Sequence, residues 1–291
     1  MQQSVGAGGY DWLDVWRRMY DAERTQAEAV TEAAFSQQAD CWAPRAQQYA
    51  TVVQRTPQPD VSMQRLLPHL RPEDTVLDIG AGTGRYVPIL ARTVARVIAV
   101  EPSPAMRAQL EQYIAAEGLN NVEVLPATWP PATLPHADVA LSAHVVYGVR
   151  EIGPFLQAID AAAGRACYLF LMTRHLNELF SPFWERFHGQ ARLLLPTALE
   201  TLNVLHQLGL PASMELLPIG QQLTFVDADE ALNDIRRRLR VAPDPERDTA
   251  LRAAIAELLV QHADGSLSFP GKTRASAFVW WESTGVRNNS A

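Results

Sequence analysis

Cysteine is scarce in this chain of 291 residues, which contains only Cys41 and Cys167. The two lie far apart and without metal-ligand spacing, so we expect neither a disulfide framework nor a zinc site. No apolar run of about 18 residues occurs, and residues 1–6 lack a basic segment followed by a hydrophobic one. These absences argue against secretion and membrane spanning and favour a cytoplasmic location.

Positive charge is also in short supply. Lysine and arginine total 25 against 32 aspartates and glutamates, which gives a net charge of −7. Broad binding to DNA or RNA normally needs a basic face, so we expect no nucleic-acid partner and favour a small substrate. The basic residues Arg236, Arg237, Arg238 and Arg240 are interpreted as a solvated helix face. The oligomeric state stays open.

The most informative stretch is residues 76–85, VLDIGAGTGR. Its apolar residues predict a buried strand, and Gly80, Gly82 and Gly84 then allow the backbone to turn and approach a ligand closely. Residues 86–90 begin a helix. The ligand is therefore expected at a helix N-terminus.

The spacing of these glycines disfavours a nicotinamide cofactor. A dinucleotide turn, G-x-G-x-x-G, would need a third glycine where Arg85 or Val87 stands. Downstream, residues 95–100 predict a second strand that ends in Glu101, about one βαβ repeat after the glycines. A carboxylate at that position can accept hydrogen bonds from both hydroxyls of a ribose.

Asp78, the glycine turn and the strand-terminal Glu101 together resemble the class I S-adenosylmethionine (SAM) dependent methyltransferases. The resemblance is close over residues 60–175 and looser beyond. It implies an α/β fold, a Rossmann-like doubly wound seven-stranded sheet that is mostly parallel with an antiparallel last strand. It also implies SAM as cofactor and S-adenosylhomocysteine (SAH) as product. The residues that it assigns to SAM are Asp78, Gly80, Gly82 and Gly84 beneath the methionine part, and Glu101 with the adjacent Pro102 at the ribose.

The same resemblance places the adenine beyond a third strand at residues 121–125. Many relatives have an acidic residue there that bonds the adenine amino group, whereas this chain has Thr128. Backbone groups and a stacked Trp129 remain available to hold the base, and ordinary core packing is the alternative for Trp129.

Two N-terminal segments are candidates for a cover over the cofactor. Residues 12–23 carry an apolar stripe at helical spacing that packs on the core, covers the cofactor, or does both. Residues 42–49 are similar to a W-x-x-R-A-x-x-Y segment that folds over SAM in related methyltransferases. That similarity implies that Arg45 pairs with the methionyl carboxylate and that Tyr49 shields the sulfonium; a surface ion pair and a core tyrosine are the alternatives.

The predicted fourth strand, residues 137–142, delivers further candidates to the same edge of the sheet. Ligands bind beyond the carboxyl ends of the strands in doubly wound sheets, so Ser142 is assigned to the cofactor. His144 and Tyr147, with His175 after the fifth strand, are assigned to the reaction zone. His144 has the chemistry to remove a proton from an attacking hydroxyl or amine, and its alternative role is to cap the turn or pack under the cofactor.

Several methyltransferase subclasses lack their signatures here. The Asn/Asp-Pro-Pro-Tyr/Phe motif of amino-group base methyltransferases is absent from residues 142–145, and a pyrimidine C5 enzyme would need a nucleophilic cysteine in that region. Cys167 falls in the predicted fifth strand, as a small core residue. Spaced carboxylates of a metal-dependent catechol enzyme are also missing, so no metal is expected.

We therefore predict four parts: an N-terminal helical cap at 1–56, a SAM-binding core at 57–175, an inserted helical lid for substrate recognition at 176–218, and the end of the same core at 219–291. The sixth and seventh strands are predicted at 221–226 and 274–281. Aromatic residues around Trp184 and His188 either contact substrate or hold the lid together.

The predicted activity is methyl transfer from SAM to an O, N or C nucleophile of a small molecule. The alternatives are an RNA or protein methyltransferase and a non-catalytic SAM-binding accessory or regulatory protein.

Overall fold

Short apolar runs alternate with helices along this chain and build a large twisted sheet with helices on both faces. The structure is a computed structural model that describes residues 10–32, 42–43, 46–55, 59–218, 223–271 and 275–285. These residues include ten strands: β1 (Thr75–Ile79), β2 (Arg96–Val100), β3 (Val122–Leu125), β4 (Ala137–Ala143), β5 (Ala163–Met172), β6 (Ser213–Pro218), β7 (Thr224–Phe225), β8 (Val260–Gln261), β9 (Leu267–Ser268) and β10 (Ala275–Glu282).

Ten α-helices accompany these strands within the described ranges. They are α1 (Trp12–Ala29), α2 (Ala46–Arg55), α3 (Val61–Leu66), α4 (Val87–Ala91), α5 (Pro104–Ala116), α6 (Ile152–Ala162), α7 (Ser181–His188), α8 (Ala198–Gln207), α9 (Ala228–Leu239) and α10 (Pro245–Leu258). Single 3-10 turns occupy Leu67–His69, Val146–Gly148 and Leu176–Phe180.

The main sheet has seven strands in the order β3-β2-β1-β4-β5-β10-β6. Strands β1 to β5 run parallel to one another, while β10 is antiparallel to both β5 and β6. The predicted Rossmann-like sheet with an antiparallel last strand is confirmed. Strand order reverses between β1 and β4, and the carboxyl ends of strands at such a reversal form the usual ligand crevice of this architecture.

The sixth strand was predicted at the wrong place. Strand β6 lies at residues 213–218, within the segment assigned to the lid, and Thr224–Phe225 instead pairs with Leu267–Ser268 in a separate three-stranded sheet. Strand β6 is an edge strand whose residues are all exposed or half-buried, and it ends at a proline. Such an edge strand lacks the continuous apolar run that marks a buried strand, so its sequence signal is weak.

The lid boundaries differ from the predicted ones for the same reason. Helix α8 packs its buried face into the main core, as a crossover between β5 and β6. The second hydrophobic cluster joins α7 to α9, α10 and the small sheet, and it includes Phe180, Phe183, Trp184, Ile235, Leu251 and Phe269. This helical unit is therefore assembled from two stretches of chain, one before α8 and one between β6 and β10.

Helix α1 follows the core-packing alternative. The Trp16 side chain is fully buried in the main core, and its indole nitrogen donates to the Val149 carbonyl at 2.8 Å. The residues just after α1 reach the helical unit, where Glu32 pairs with Arg247 at 2.7 Å. The helix thus ties the sheet to the unit that lies beyond it.

Cys167 is a buried residue of β5, and burial raises the pKa of its thiol well above the ordinary value. This location agrees with the predicted role as a small core residue. Cys41 lies outside the described residues. None of the described helices combines the length and apolarity that crossing a membrane requires.

Candidate functional site

The glycine turn follows β1 and closes against the end of β2. The backbone N–H groups of Gly80 and Ala81 both donate to the Val100 carbonyl, at 2.8 and 3.1 Å. A Cβ atom on Gly80 would lie 2.4 Å from Cγ2 of Val145, so the chain that leaves β4 can approach only a glycine here. Glycine at this position brings the ends of β1 and β4 together.

Gly82 faces open space instead. Its φ is +60°, and a Cβ atom there would meet nothing closer than Cε1 of Tyr49 at 4.0 Å. Its backbone N–H donates to Oε2 of Glu101 at 2.9 Å. The turn therefore exposes bare backbone on the side that Tyr49 covers.

Two buried carboxylates stand beside this turn. Glu101 is 5% exposed and is fixed by two backbone donors, because its other oxygen accepts from the Ser103 N–H at 2.8 Å. Asp78 is 2% exposed, and burial together with the nearby charge of Glu101 raises the pKa of Asp78 to about 7. Near neutral pH, this end of the site therefore holds one firmly placed carboxylate and one that exchanges its proton.

A cleft opens over the turn, with a cavity volume of about 40 Å³. Its lining residues are Tyr49, Asp78, Gly80, Ala81, Gly82, Arg85, Tyr86, Ala143 and His144. A wider groove at the opposite edge of the sheet is lined by Ala95, Arg96 and residues 120–123, and it contains none of the predicted site residues. Because ligands of doubly wound sheets bind at the carboxyl edge, we assign the candidate site to the cleft.

The basic side of the cleft is built around Arg85. Its Nη2 donates to Oδ2 of Asp60 at 2.6 Å, and the Tyr86 hydroxyl donates to the same oxygen at 2.7 Å. The guanidinium carbon lies 5.1 Å from the centre of the Tyr86 ring. Tyr49 is 38% exposed as a whole residue, yet burial of its hydroxyl end raises the pKa of that group.

His144 enters the cleft from the end of β4. Its φ of +61° is left-handed, which is uncommon for a residue other than glycine and is most readily adopted by Asn, Asp and His. The His144 backbone N–H donates to the Phe170 carbonyl at 2.9 Å, which ties this unusual residue to β5. The half-buried His144 therefore lines the same cleft as Arg85 and Tyr86, in a backbone conformation that is uncommon for its residue type.

Comparison with known proteins identifies the family of the domain that contains this cleft. A family model of the methyltransferase domain matches residues 76–163, which run from β1 to the start of β5. The chain carries a class I SAM-dependent methyltransferase domain. The predicted resemblance is confirmed, and SAM is confirmed as the cofactor of this class of domain.

Individual relatives match parts of the methyltransferase domain or its fold. A protein-L-isoaspartate O-methyltransferase of Methanoregula boonei is 46% identical over 65 residues, 22% of this chain and 30% of that protein. An uncharacterized Haemophilus influenzae protein is 27% identical over 164 residues, 55% of this chain and 60% of that protein. A Methanosarcina mazei protein assigned to ribosomal RNA small subunit methyltransferase A is 40% identical over 74 residues, 25% of this chain and 26% of that protein. The chain thus spans less than two thirds of each of these relatives.

Among solved structures, a candidate methyltransferase from Bacillus halodurans superposes with a TM-score of 0.52 at 16% identity. The match covers 76% of this chain and 96% of that one. At this level of identity the likeness shows the fold alone.

The other predicted reaction-zone residues of the methyltransferase domain lie at the same edge but do not line the cleft. The Tyr147 hydroxyl accepts from the Met172 N–H, and its ring meets His175 edge-on with centroids 5.3 Å apart. His175 Nδ1 accepts from the Asn177 N–H at 3.2 Å and caps the following 3-10 turn. Both side chains link the ends of β4 and β5 to the helical unit.

Six predicted cofactor residues are described but do not line the cleft: Gly84, Glu101, Pro102, Thr128, Trp129 and Ser142. Ser142 donates to the Ile79 carbonyl at 3.2 Å inside the sheet, and Trp129 donates to the Phe155 carbonyl at 3.2 Å from within the main core. This position of Trp129 agrees with the core-packing alternative. Thr128 and Pro102 are exposed after β3 and β2, and Arg45 lies outside the described residues.

Gly84 has a packing role in the turn, since a Cβ atom there would lie 2.8 Å from Cδ1 of Leu110 in α5. Sequence reasoning missed Arg85, Tyr86 and Asp60 as site residues. The available signal was an arginine directly after the glycine turn and an aspartate before α3, but nothing in the pattern joined two residues 25 positions apart. Within the described ranges, no three His, Cys, Asp or Glu side chains cluster as a metal site.

Proposed function

We propose that this chain is an enzyme that transfers a methyl group from SAM to an O, N or C nucleophile of a small molecule. The observation that carries the proposal is the cleft at the carboxyl edge of the sheet. It brings part of the glycine turn, the Asp78 carboxylate, one arginine and one histidine together around open space, and the Glu101 carboxylate is bonded to the turn through the Gly82 N–H. These are the groups that a ribose diol, an amino acid and a reacting nucleophile need.

The residues fit the cofactor on their own chemistry. Bare backbone at Gly82 leaves room beside the turn, and backbone donors hold Glu101 rigidly as a carboxylate, the acceptor that ribose hydroxyls need. Asp78 offers a carboxylate to an ammonium group and Arg85 offers donors to a carboxylate. SAM would supply a methyl group activated by its positively charged sulfur.

The protein's part in the transfer is placement, desolvation and proton handling. Aligned reactants in a site that excludes water react much faster than free ones, so a displacement at an activated methyl group needs little further covalent help. His144 stands on the wall of the cleft and takes the proton of a neutral hydroxyl or amine as that group attacks. The Tyr49 ring covers the turn from the other side.

Charge distribution supports a small substrate over RNA. The arginines of α9 are engaged with carboxylates, since Arg236 pairs with Asp248 at 3.2 Å and both Arg237 and Arg238 pair with Asp234. The net charge of −7 leaves little reason for attraction to a polyanion. The matches to the isoaspartate and ribosomal RNA methyltransferases cover 65 and 74 residues, which restricts them to the shared cofactor domain.

Calorimetric titration of the purified chain with SAM, SAH and NAD tests the cofactor first. We expect both sulfur nucleosides to bind and NAD not to bind. A screen then follows SAH release with small acceptors, total RNA and a protein pool in parallel. Turnover confined to RNA or protein would overturn the small-molecule assignment, and tight SAM binding without turnover on any acceptor would favour an accessory role.

His144→Asn is the sharpest test of the proton acceptor. Asparagine tolerates the left-handed backbone but cannot titrate near neutral pH, so the fold and SAH affinity should stay close to wild type. Turnover should fall roughly 100-fold at neutral pH, and the defect should shrink at high pH, where the acceptor loses its own proton. His144→Gly serves as the matched backbone control. Wild-type turnover in His144→Asn would remove His144 from the chemistry.

A further inference from the structure

We infer that Arg85, clamped by Asp60 and Tyr86, is the carboxylate anchor of the cleft and selects ligands that carry the amino-acid portion of SAM. The inference rests on the proposed function and assigns a role that neither the sequence pattern nor the family match gives to this residue. It names Arg85 in place of Arg45, the residue that the sequence suggested for the methionyl carboxylate.

The first observation is a donor without an acceptor. The Nε atom of Arg85 is buried and has no hydrogen-bond partner among the described residues, although Arg85 lines the cleft. A buried donor that lacks a partner costs free energy, and native proteins rarely leave one uncompensated. An acceptor supplied by a ligand in the cleft would satisfy it.

The second observation is that the guanidinium is held in place before any ligand arrives. Asp60 accepts from Arg85 and from the Tyr86 hydroxyl through the same oxygen, and its other oxygen accepts from the Met63 N–H at 2.9 Å to cap α3. The Arg85 and Asp60 side chains are only 27% and 18% exposed. An arginine fixed in this way loses little freedom when it binds a carboxylate, for which its planar fork is well suited.

The third observation is the division of charge across the cleft. Among its described lining residues, Arg85 is the permanently charged cation, while Asp78 lies at the turn beside Glu101. Tyr49 lines the same cleft, where its hydroxyl lies within electrostatic range of both Arg85 and Glu101. An acidic side and a basic side that share one cleft match the ammonium and carboxylate of an amino acid.

Ligands that differ only in this portion test the inference. SAH carries the α-amino and α-carboxylate groups, decarboxylated SAH lacks the carboxylate, and 5′-methylthioadenosine lacks both. We expect wild type to bind SAH more tightly than either analogue. Arg85→Met should weaken SAH binding roughly 10- to 100-fold while changing the affinity for decarboxylated SAH and methylthioadenosine by less than about threefold.

Charge and folding need their own controls. Arg92→Met removes one positive charge at an exposed ion pair with Glu117, outside the cleft lining, and should leave all three affinities unchanged. Arg85→Lys keeps the charge without the fork and should fall between wild type and Arg85→Met. Arg45→Met should leave the preference for SAH over decarboxylated SAH as in wild type. If Arg85→Met fails to fold, Arg85→Lys and the wild-type ligand ratios carry the test.

Each outcome has one meaning. Equal losses for SAH and decarboxylated SAH in Arg85→Met, or no loss for either, would overturn the role of Arg85. A lost preference in Arg45→Met with an intact preference in Arg85→Met would return the carboxylate to Arg45. Failure of wild type to bind any of the three nucleosides would instead overturn the proposed function itself.

Discussion

Gly82→Ala is expected to abolish measurable SAH binding while leaving the chain folded. The new methyl group would point into the cleft, where it meets nothing closer than Cε1 of Tyr49 at 4.0 Å, so it clashes with no part of the protein. It would occupy the space against the bare backbone that we assign to the cofactor. The cost to folding should be limited to about 1–2 kcal/mol for a left-handed alanine.

Gly118→Ala is the matched control for this prediction. Gly118 has nearly the same φ, +62°, and follows α5, and a methyl group there would have nothing within 4 Å, so the backbone penalty is reproduced away from the cleft. Both variants should lose similar stability in chemical denaturation, and only Gly82→Ala should lose SAH affinity by calorimetry. Normal SAH binding by Gly82→Ala would place the cofactor elsewhere.

Gly80→Ala should behave differently from both. A methyl group there would come within 2.4 Å of Val145, so the chain leaving β4 would have to move. Three glycines that look equivalent in the sequence thus have different roles. Gly80 allows Val145 to pack against the turn, Gly82 keeps the cleft open, and Gly84 allows Leu110 to pack closely. Only the three-dimensional structure could separate these roles, because each depends on a neighbour from another part of the chain.

The sequence could predict the inner parallel strands β1, β2, β4 and β5 because they carry largely apolar runs that are buried in the sheet. Val76, Leu77 and Ile79 of β1 are fully buried, and the glycine turn fixes where that strand ends. Strand β6 could not be predicted in this way, because it is an edge strand that is largely exposed to solvent and its residues form no buried apolar run. Because the sixth strand was predicted too late in the chain, the segment of α8 was included in the predicted lid.

The residues of the candidate site also differ in how far the sequence could predict their positions. Asp78, the glycines and Glu101 form a local pattern with fixed spacing, and in the structure they lie around one turn, where Gly82 bonds Glu101 and Asp78 lies near its charge. Trp129 and Ser142 also lie at the ends of their segments, but hydrogen bonds to the Phe155 and Ile79 carbonyls direct them inward. The orientation of a side chain near a strand end depends on such long-range partners, which a single sequence does not reveal.

The helical unit is coupled to the core of the sheet by α1 and the residues that follow it. Its aromatic cluster is separate from that core, yet this N-terminal segment contacts both, through buried Trp16 in α1 and through the pair of Glu32 with Arg247 after the helix. Arg192 also connects these two parts. Its guanidinium carbon lies 4.5 Å from the centre of the Trp184 ring, and its Nη2 lies 3.8 Å from Oε1 of Glu23 in α1. Burial lowers the pKa of Arg192 to about 10, so this buried ion pair costs desolvation free energy. In return it specifies the position of α1, which carries Glu23.

The stability of the chain should fall with rising pH because of Asp78. Its folded-state pKa is raised from 3.8 to about 7, so between these values the folded protein keeps a proton that the unfolded chain has released. The contribution is complete below the lower value and is lost as pH rises through the upper one. Relative to Asp78→Asn, the wild-type free energy of unfolding should drop by about 1.4 kcal/mol per pH unit across this window and level off above it.

Denaturant unfolding of wild type and Asp78→Asn in matched buffers from about pH 5 to about pH 8 measures that difference, and parallel curves would contradict it. Glu101→Gln should end the decline at lower pH, because removal of the neighbouring charge lets Asp78 ionise at a lower pH.

The protonation of Asp78 should also be coupled to ligand binding. A ligand ammonium group favours the ionised carboxylate, so SAH binding at about pH 6 should release protons from wild type, detectable by calorimetry in buffers of different ionisation enthalpy, and fewer from Asp78→Asn.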